Sequence, residues 1–405
     1  MASNPQAKTA KKILYLVSDD SYFCSHRLNL AKAAKCAGFE VAIATRCKRH
    51  QKTIEEAEIK VFPLKHFDRA GLNPWRQGLL LLELWKVYRG YQPHIVHQVA
   101  MKPVILGSVV AFFSKVPYVI NALGGLGFLF TESHGTRGIF AKCKRALLRQ
   151  FASFALGLAC NQKRALLILQ NEDDIKTLVP YIKREKMVLV KGSGIDMHNY
   201  PVQPLPKSPP FIIACLSRML WDKGIGDLVE AAKILLHERY PVKVVLYGLP
   251  DAENPASISE RQLTVWQNEG YIEWQGFCEN SADAYSASHI AVLPSYYREG
   301  LPRTLLEGAS VGRPIVTTDV PGCRETVIQG KNGYLVPAHD PKKLALALKQ
   351  LIDNPDLLDK MGRESRKLVE EQFSEAVIHK TMLEIYFNAL NEGIKKHGAI
   401  FNYSS

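Results

Sequence analysis

Long apolar runs are missing from this sequence. The longest candidate, Pro103 to Ser114, stops at Lys115, well short of the ~20 apolar residues a spanning helix needs. The first run, Ile13 to Val17, ends in Ser18-Asp19-Asp20 and reads as a buried strand rather than a secretory signal. The expectation is a protein not integral to a membrane. Paired cysteines are missing too. The eight present (Cys24, Cys36, Cys47, Cys143, Cys160, Cys215, Cys278 and Cys323) form no Cys-x-x-Cys pair and no zinc spacing with His. That excludes a zinc ribbon and suits free thiols in a reducing cytosol. There is no Gly-x-Gly-x-x-Gly dinucleotide fingerprint and no phosphate loop of the Gly-x4-Gly-Lys-Ser/Thr type. Gly124-Gly125-Leu126-Gly127 is a weak glycine signal. No repeat of solenoid length and no low-complexity tract is present.

Acids are scarce in the first half. Residues 1–200 hold 30 Lys and Arg against 14 Asp and Glu, a net of +16; the remainder holds 22 against 25, a net of −3. The two halves therefore meet different partners. A basic half suits nucleic acid, an anionic membrane face or a phosphorylated ligand. No aromatic–basic recognition motif accompanies the charge, which argues against nucleic acid.

What is present is alternation. A chain of 405 residues is too long for one core, so two domains are expected. Strand-like runs in the first half are Ile13–Ser18, Glu40–Thr45, Ile59–Pro63, His94–His97, Tyr118–Asn121, Leu166–Gln170 and Met187–Lys191. The second half offers Phe211–Leu216, Val242–Gly248, Ile272–Gly276, Ile290–Pro294 and Ile315–Thr318. Helical patterns separate them, which implies parallel sheets covered on both faces. The pattern occurs twice and predicts an α/β protein of two doubly wound, Rossmann-like domains. Asp196 to Pro210 carries Pro201, Pro204, Pro206, Pro209 and Pro210, a density that marks a linker. The expected domains are 1–200, 201–375 and a C-terminal helix within 376–405. That helical pattern, Ala376 to Lys396, is expected to pack back on the first domain.

Two strand–helix junctions of the second half concentrate chemistry. After Ile290–Pro294 comes Tyr297-Arg298-Glu299-Gly300-Leu301-Pro302-Arg303-Thr304-Leu305-Leu306-Glu307. Pro302 stands where a first helical residue is expected. The N–H groups of that helix's first turn favour an anion at the carboxyl edge of the sheet. Glu299 falls before the helix and Glu307 one turn inside it. Two acids beside an anion site suit a ligand that also offers hydroxyls, such as a sugar and a ribose. Taken alone, Glu307 reads equally well as a first-turn acid answering the helix dipole. After Phe211–Leu216 the chain reads Ser217-Arg218-Met219-Leu220-Trp221-Asp222-Lys223-Gly224. Arg218 and Lys223 bracket that loop and can neutralise a diphosphate.

Arg218, Lys223 and the Glu299-x7-Glu307 spacing together resemble the retaining GT-B glycosyltransferases of family 4. The resemblance covers nearly the whole chain. It includes Gly192-Ser193-Gly194-Ile195-Asp196, Val320-Pro321-Gly322-Cys323-Arg324-Glu325 and Gly330-Lys331-Asn332-Gly333-Tyr334-Leu335-Val336-Pro337. It implies a GT-B fold with two domains facing a cleft. It implies that Glu307 holds a nucleotide ribose and Glu299 a donor-sugar hydroxyl. Arg218 and Lys223 would bind the departing diphosphate, and amides near Gly300, Leu301, Pro302, Arg303 and Thr304 its far end. No metal or cofactor is expected, and no Asp-x-Asp metal motif is present. Gly124 and Gly125 would let backbone approach the donor closely. Many family members carry His-Gly where this chain reads Gly124-Gly125, so no catalytic histidine is carried over there.

The first domain is then the acceptor side. His97 and Lys102 follow one strand and Asn121 ends the next, in Asn121-Ala122-Leu123-Gly124-Gly125-Leu126-Gly127-Phe128. Arg27, in the loop after the first strand, completes the acceptor candidates. The Asn121–Phe128 motif and Gln170-Asn171-Glu172-Asp173-Asp174 resemble a bacterial branch that builds surface glycans on polyprenyl diphosphate carriers, often from UDP-N-acetylhexosamines. Gly138 to Ala155 predicts an amphipathic helix. Ile139, Cys143, Ala146, Leu147, Gln150, Phe151 and Phe154 follow helical spacing, and Lys142, Lys144, Arg145 and Arg149 add a basic side. It could lie on anionic lipid or serve as a core helix, and so could Leu79-Leu80-Leu81-Leu82 beside Trp85. The expected partners are a UDP-sugar, a lipid-linked sugar acceptor and an anionic membrane surface, at the inner face of the cytoplasmic membrane. A soluble transferase for a small sugar or sugar phosphate, and a GT-B sugar-nucleotide epimerase, are the alternatives.

Overall fold

A computed structural model describes residues 10–68, 73–127, 130, 139–207, 209–252 and 254–391, and the side chains of 139–145 lie outside that description. The described residues form two compact units. One takes those up to Gly124, those running to Ser193 and those from Ile378; the other takes those from Gly125 to Phe130 and from Gly194 to Val377.

The first unit runs β1 (Lys11–Asp19), α1 (Asp20–His26), α2 (Leu28–Cys36), β2 (Phe39–Arg46), α3 (Gln51–Glu56), β3 (Lys60–Pro63), α4 (Pro74–Tyr91), β4 (Ile95–Val99), α5 (Met101–Phe113), β5 (Tyr118–Ala122), α6 (Ile139–Cys160), β6 (Ala165–Leu169), α7 (Glu172–Leu178) and β7 (Met187–Leu189). The strands form one parallel sheet in the order β3-β2-β1-β4-β5-β6-β7. Their period of two sorts side chains between its faces. Ile13, Tyr15 and Val17 of β1 pack on one side with Val41, Ile43, Ile95 and Ile120. Leu14 and Leu16 pack on the other with Ala42, Ala44, Val96 and Val119. A sheet buried on both faces reads as continuous apolar runs, which is why these strands were visible in sequence.

The second unit runs β8 (Phe211–Leu216), α8 (Ile225–His237), β9 (Val242–Tyr247), α9 (Glu260–Asn268), β10 (Glu273–Trp274), α10 (Ser281–Ser286), β11 (Ile290–Leu293), α11 (Arg303–Ser310), β12 (Ile315–Thr318), β13 (Gly333–Val336), α12 (Pro341–Ile352) and α13 (Pro355–Gln372). Its sheet is parallel as well, in the order β10-β9-β8-β11-β12-β13. Strand β13 was not among the strands expected from sequence. Arg313 is wholly buried here. It donates to the carbonyls of Tyr285, Gln203, Pro204 and Ser286 at 2.9–3.0 Å, tying the proline-rich linker to the end of α10.

The last helix, α14 (Glu375–Asn391), returns the chain to the first unit. Ile378, Met382, Ile385, Tyr386 and Ala389 recur at helical spacing and enter the core face that Tyr15 and Ile43 line. Each large side chain buried so contributes about 1.5–3 kcal/mol. Residues 392–396 of the expected helix lie outside the described residues.

Candidate active site

In an open parallel sheet, ligands bind beyond the carboxyl ends of strands where the strand order reverses. In the second unit that point lies between β8 and β11. The loop after β8 carries Arg218 and Lys223, and the loop after β11 carries Glu299. The two loops are stitched together. The Asp222 carbonyl accepts from the N–H groups of Tyr296 and Tyr297, at 3.1 and 3.2 Å, and from Ser295 Oγ at 3.2 Å. Gly224 has φ +72°, and a Cβ there would come within 1.9 Å of the Pro294 carbonyl oxygen. Only glycine lets the loops close this tightly.

That closure puts Lys223 Nζ against Glu299 Oε1 in an ion pair with both side chains about seven-eighths buried. Ser295 Oγ lies 3.0 Å from Glu299 Oε1, and its one hydroxyl hydrogen is shared between that carboxylate and the Asp222 carbonyl. The Lys223 ammonium stands 5.6 Å from the centre of the Tyr297 ring. Nearby, burial and then the Glu299 charge push the Cys323 thiol up to about 12. That thiol is an inert core group.

Beside this pair the same sheet edge holds a cavity of about 620 Å³. Arg218 and Glu307 both line it, with Ser217, Asp251, Phe277 and Thr304. The volume falls within the range of small-molecule sites, about 300–1,000 Å³. Arg218 is not a lone cation: its Nη1 donates to Asp251 Oδ2 at 2.7 Å. Glu307 is mostly buried, and its Oε1 accepts from Arg303 Nε at 2.9 Å. Burial and the Glu307 charge hold the Tyr200 phenol up at about 12. Thr304 Oγ1 lies 2.6 Å from Tyr285 Oη.

The helix that carries Glu307 begins one residue later than expected. Pro302 is the cap residue, with φ −71° and ψ 102°, and Arg303 is the first helical residue. Proline still suits the position, because it needs no N–H there. Arg303 reaches back to the Gly194 carbonyl at 3.2 Å. Gly300 and Leu301 form the approach, with Leu301 packed against the unit's core. Gly125, at φ +100°, passes so close that an added Cβ would sit 2.5 Å from the Gly300 nitrogen. Its glycine serves the packing of one backbone on another. Gly124 belongs to the first unit, and an added Cβ would meet Tyr22 Oη at an unforced 3.4 Å.

The acceptor candidates lie in the first unit: His97 on β4, beside the reversal point between β1 and β4, Lys102 at the start of α5, Asn121 on β5 and Arg27 between α1 and α2. Here the geometry corrects the expectation for three of them. His97 is fully buried: its Nδ1 lies 2.6 Å from Tyr386 Oη, and its ring 5.1 Å from that of Tyr15. Burial, then the Arg27 charge, hold its pKa well below the usual histidine value, so the ring is neutral. Tyr386 Oη also lies 3.0 Å from Tyr15 Oη. Asn121 is buried too, its amide donating to Cys160 Sγ at 3.5 Å. Arg27 is buried between α1 and α2. Strand period decides this, because it points His97 toward α14 rather than past the strand end. Lys102 is only partly buried; its Nζ donates to the Asp68 carbonyl and stands 5.6 Å from the Phe67 ring centre. Next to these, Ala100 has φ +80°, a conformation costly to any residue with a Cβ.

Sequence reasoning missed Asp251 and Ser295, the partners of Arg218 and Glu299. A signal for Asp251 was available: Gly248-Leu249-Pro250-Asp251 follows β9, the strand paired with β8.

Two doubly wound parallel units, one with a cavity lined by Arg218 and Glu307 at its sheet edge, are the GT-B architecture. Comparison with known proteins agrees. The chain matches the family models "Glycosyl transferases group 1" over residues 196–368 and "Glycosyl transferase 4-like" over residues 12–167. It belongs to this family of GT-B glycosyltransferases. It is 25 % identical over 316 residues to the capsular polysaccharide biosynthesis glycosyltransferase CapM of Staphylococcus aureus, covering 77 % of this chain and 81 % of that one. It is 24 % identical over 375 residues to a Campylobacter jejuni enzyme, the N,N'-diacetylbacillosaminyl-diphospho-undecaprenol α-1,3-N-acetylgalactosaminyltransferase, covering 89 % and 94 %. Among solved structures, Anabaena HepE in complex with UDP and glucose superposes with a TM-score of 0.75 at 16 % identity, over 93 % of this chain and 99 % of that one. No described helix is long and apolar enough to cross a membrane.

Proposed function

We propose that this glycosyltransferase moves an N-acetylhexosamine from a UDP-sugar to a sugar carried on polyprenyl diphosphate, keeping the anomeric configuration. The observation that carries the reading is the cavity shared by Arg218 and Glu307, with the Lys223–Glu299 pair on the loops after β8 and β11 of the same sheet. A carboxylate accepts two hydroxyl hydrogen bonds, so Glu307 takes the ribose. Arg218 exchanges part of its bond to Asp251 for the diphosphate. Lys223 shares its charge between Glu299 and the leaving group, and the first turn of α11 adds N–H donors. Glu299 accepts from a hydroxyl of the donor sugar.

As the bond from the anomeric carbon to the phosphate oxygen breaks, negative charge grows on the diphosphate, and fixed cations stabilise it there without reorganising. The acceptor hydroxyl attacks from the same face, forming the new glycosidic bond. Its proton passes to the leaving phosphate, so no protein base is required. This is consistent with the Campylobacter relative, whose name states a diphospho-undecaprenol acceptor. A lipid-linked acceptor puts the protein at the cytoplasmic membrane face.

The test is transfer from a panel of UDP-sugars to a detergent-solubilised polyprenyl-diphosphate sugar in EDTA, with the product's anomeric coupling read by NMR. Turnover with retention is expected. An inverted product, or activity lost to EDTA and restored by Mg²⁺, contradicts the mechanism.

A further inference from the structure

Helices α4, α5 and α6 connect β3 to β4, β4 to β5 and β5 to β6, so all three cross the sheet in one direction and lie side by side on one face. That face is already supplied with core side chains. Leu80, Leu84, Val110 and Ala111 fill it from α4 and α5, and among its described side chains α6 buries Ala152, Ser153, Leu156, Ala159 and Cys160. The outward sides of the same helices should then be polar. They are not. On α6, Leu147, Phe151, Phe154 and Leu158 are each 60–70 % exposed. Their spacing of four, three and four residues keeps them within roughly 60° of arc, one continuous stripe. On α5, Phe112 and Phe113 are 64 % and 69 % exposed, their rings edge to face at 5.4 Å. On α4, Trp75 is 86 % exposed and begins a stripe continued by Leu79 and Leu82, with Trp85 beside it.

Scattered exposed apolar residues are ordinary, but two stripes and an aromatic pair on three neighbouring helices of one face are a patch. Its chemistry selects its occupant. The sequences of the three helices hold eight Lys or Arg (Lys142, Lys144 and Arg145 among them, whose side chains lie outside the described residues) and a single acid, Glu83. Glu83 is itself engaged: His66 Nδ1 lies 2.9 Å from its carboxylate, and the Lys65 and His66 N–H groups donate to it. A second copy docking by twofold symmetry would bring this basic face against itself. An anionic bilayer answers both features, taking the aromatic side chains into its interface and the cations at its headgroups.

We infer that the outer face of α4, α5 and α6 is a docking surface for anionic lipid, with the stripe Leu147–Phe151–Phe154–Leu158 inserted at the headgroup–acyl boundary. This deepens the reading of a lipid-linked acceptor and rests on it for its purpose. For Leu147, Phe151 and Phe154 the sequence left a lipid face and a core face open, and their exposure supports the lipid face. Lys142, Lys144 and Arg145 enter as charges of the sequence alone.

The test is co-sedimentation of the full chain with vesicles, without donor or acceptor. Phosphatidylcholine vesicles with about 30 % phosphatidylglycerol are compared with phosphatidylcholine alone, across salt concentrations. Binding is expected to anionic vesicles, to weaken with salt, and to fall at least about tenfold in L147S/F151S/F154S and in F112S/F113S. V265S/L346S, exposed apolar positions of the other unit, should bind as the native chain does. Wild-type protein gives a second measurement free of any folding cost. Of its five tryptophans only Trp75 and Trp85 lie on α4, so brominated lipid should quench their share of the emission. Absence of binding to anionic vesicles, variants that bind unchanged, or unquenched emission overturns the inference. So does a concentration-dependent dimer abolished by the same substitutions. The detergent transfer assay uses no bilayer, so the functional reading and the docking surface can fail separately.

Discussion

Replacing Lys223 with Met leaves the Glu299 carboxylate without its ammonium partner in a site about seven-eighths buried, while Ser295 Oγ still lies 3.0 Å from it. Breaking a fully buried pair from one side costs about 3–5 kcal/mol. With the remaining exposure and the Ser295 bond, a loss of about 2–3 kcal/mol is expected for Lys223→Met, and a similar one for Glu299→Leu. For a unit of this size each kcal/mol lowers the melting temperature by about 2–4 °C, so each single variant should melt roughly 4–12 °C lower. Removing both charges removes the stranded one. The double variant K223M/E299L should therefore recover most of the loss, with a coupling of at least about 1.5 kcal/mol in the double-mutant cycle. Activity should do the opposite: all three variants should lose about 10²–10³ or more in kcat, because each removes the cation, the carboxylate that accepts from the donor sugar, or both. Thermal melts and initial rates on the same preparations read both effects. Additive melting losses would refute the buried pair, and a double variant that regains turnover would refute its part in catalysis.

Three further outcomes follow from the buried network in the first unit and from the acid that opens α1. Tyr386→Phe removes the hydroxyl shared by His97 and Tyr15 and should cost about 1–3 kcal/mol, read as a lower melting temperature of the first unit. His97 is neutral when folded and has an ordinary value near 6.5 when unfolded, so below that pH the unfolded chain binds more protons. Stability should then fall by up to about 1.4 kcal/mol per pH unit below 6.5, and His97→Gln should flatten that slope. Asp20 adds a second, more acidic step. Burial raises its pKa, but N–H donations from His50, Lys48 and Arg49 outweigh it and the net shift is downward. Its contribution is complete above the ordinary carboxylate value and is lost as pH falls through the lowered one, so Asp20→Asn should melt lower at neutral pH and lose less on acidification.

Much of the fold was legible because strands buried on both faces leave unbroken apolar runs between helical patterns. Strand β13 escaped because Gly333-Tyr334-Leu335-Val336 is four residues long and sits inside a glycine- and asparagine-rich turn sequence. The donor-side residues were legible for a local reason: Arg218, Lys223, Glu299 and Glu307 all lie within a few residues of a strand's carboxyl end or a helix start. Their partners were not. Asp251 reaches Arg218 only because β9 lies beside β8, and Lys223 meets Glu299 only because strand order reverses between β8 and β11. His97 shows the same limit from the other side. Its place at a strand end suggested a surface contact, but the helix that buries it arrives 289 residues later. Of the α6 positions named from the sequence, Leu147, Phe151 and Phe154 share one exposed side of the helix. Which side of the helix faces the sheet depends on β5 and β6, and that decided between core and surface.

The central claim is that the cavity of the second unit binds the nucleotide diphosphate through Glu307 and Arg218. Calorimetric titration of UDP into the full chain in EDTA tests it most directly. The account predicts saturable binding, weakened at least about tenfold by Glu307→Ala and by Arg218→Ala, each of which removes a charged hydrogen bond. No binding at millimolar UDP, or unchanged affinity in both variants, would contradict it.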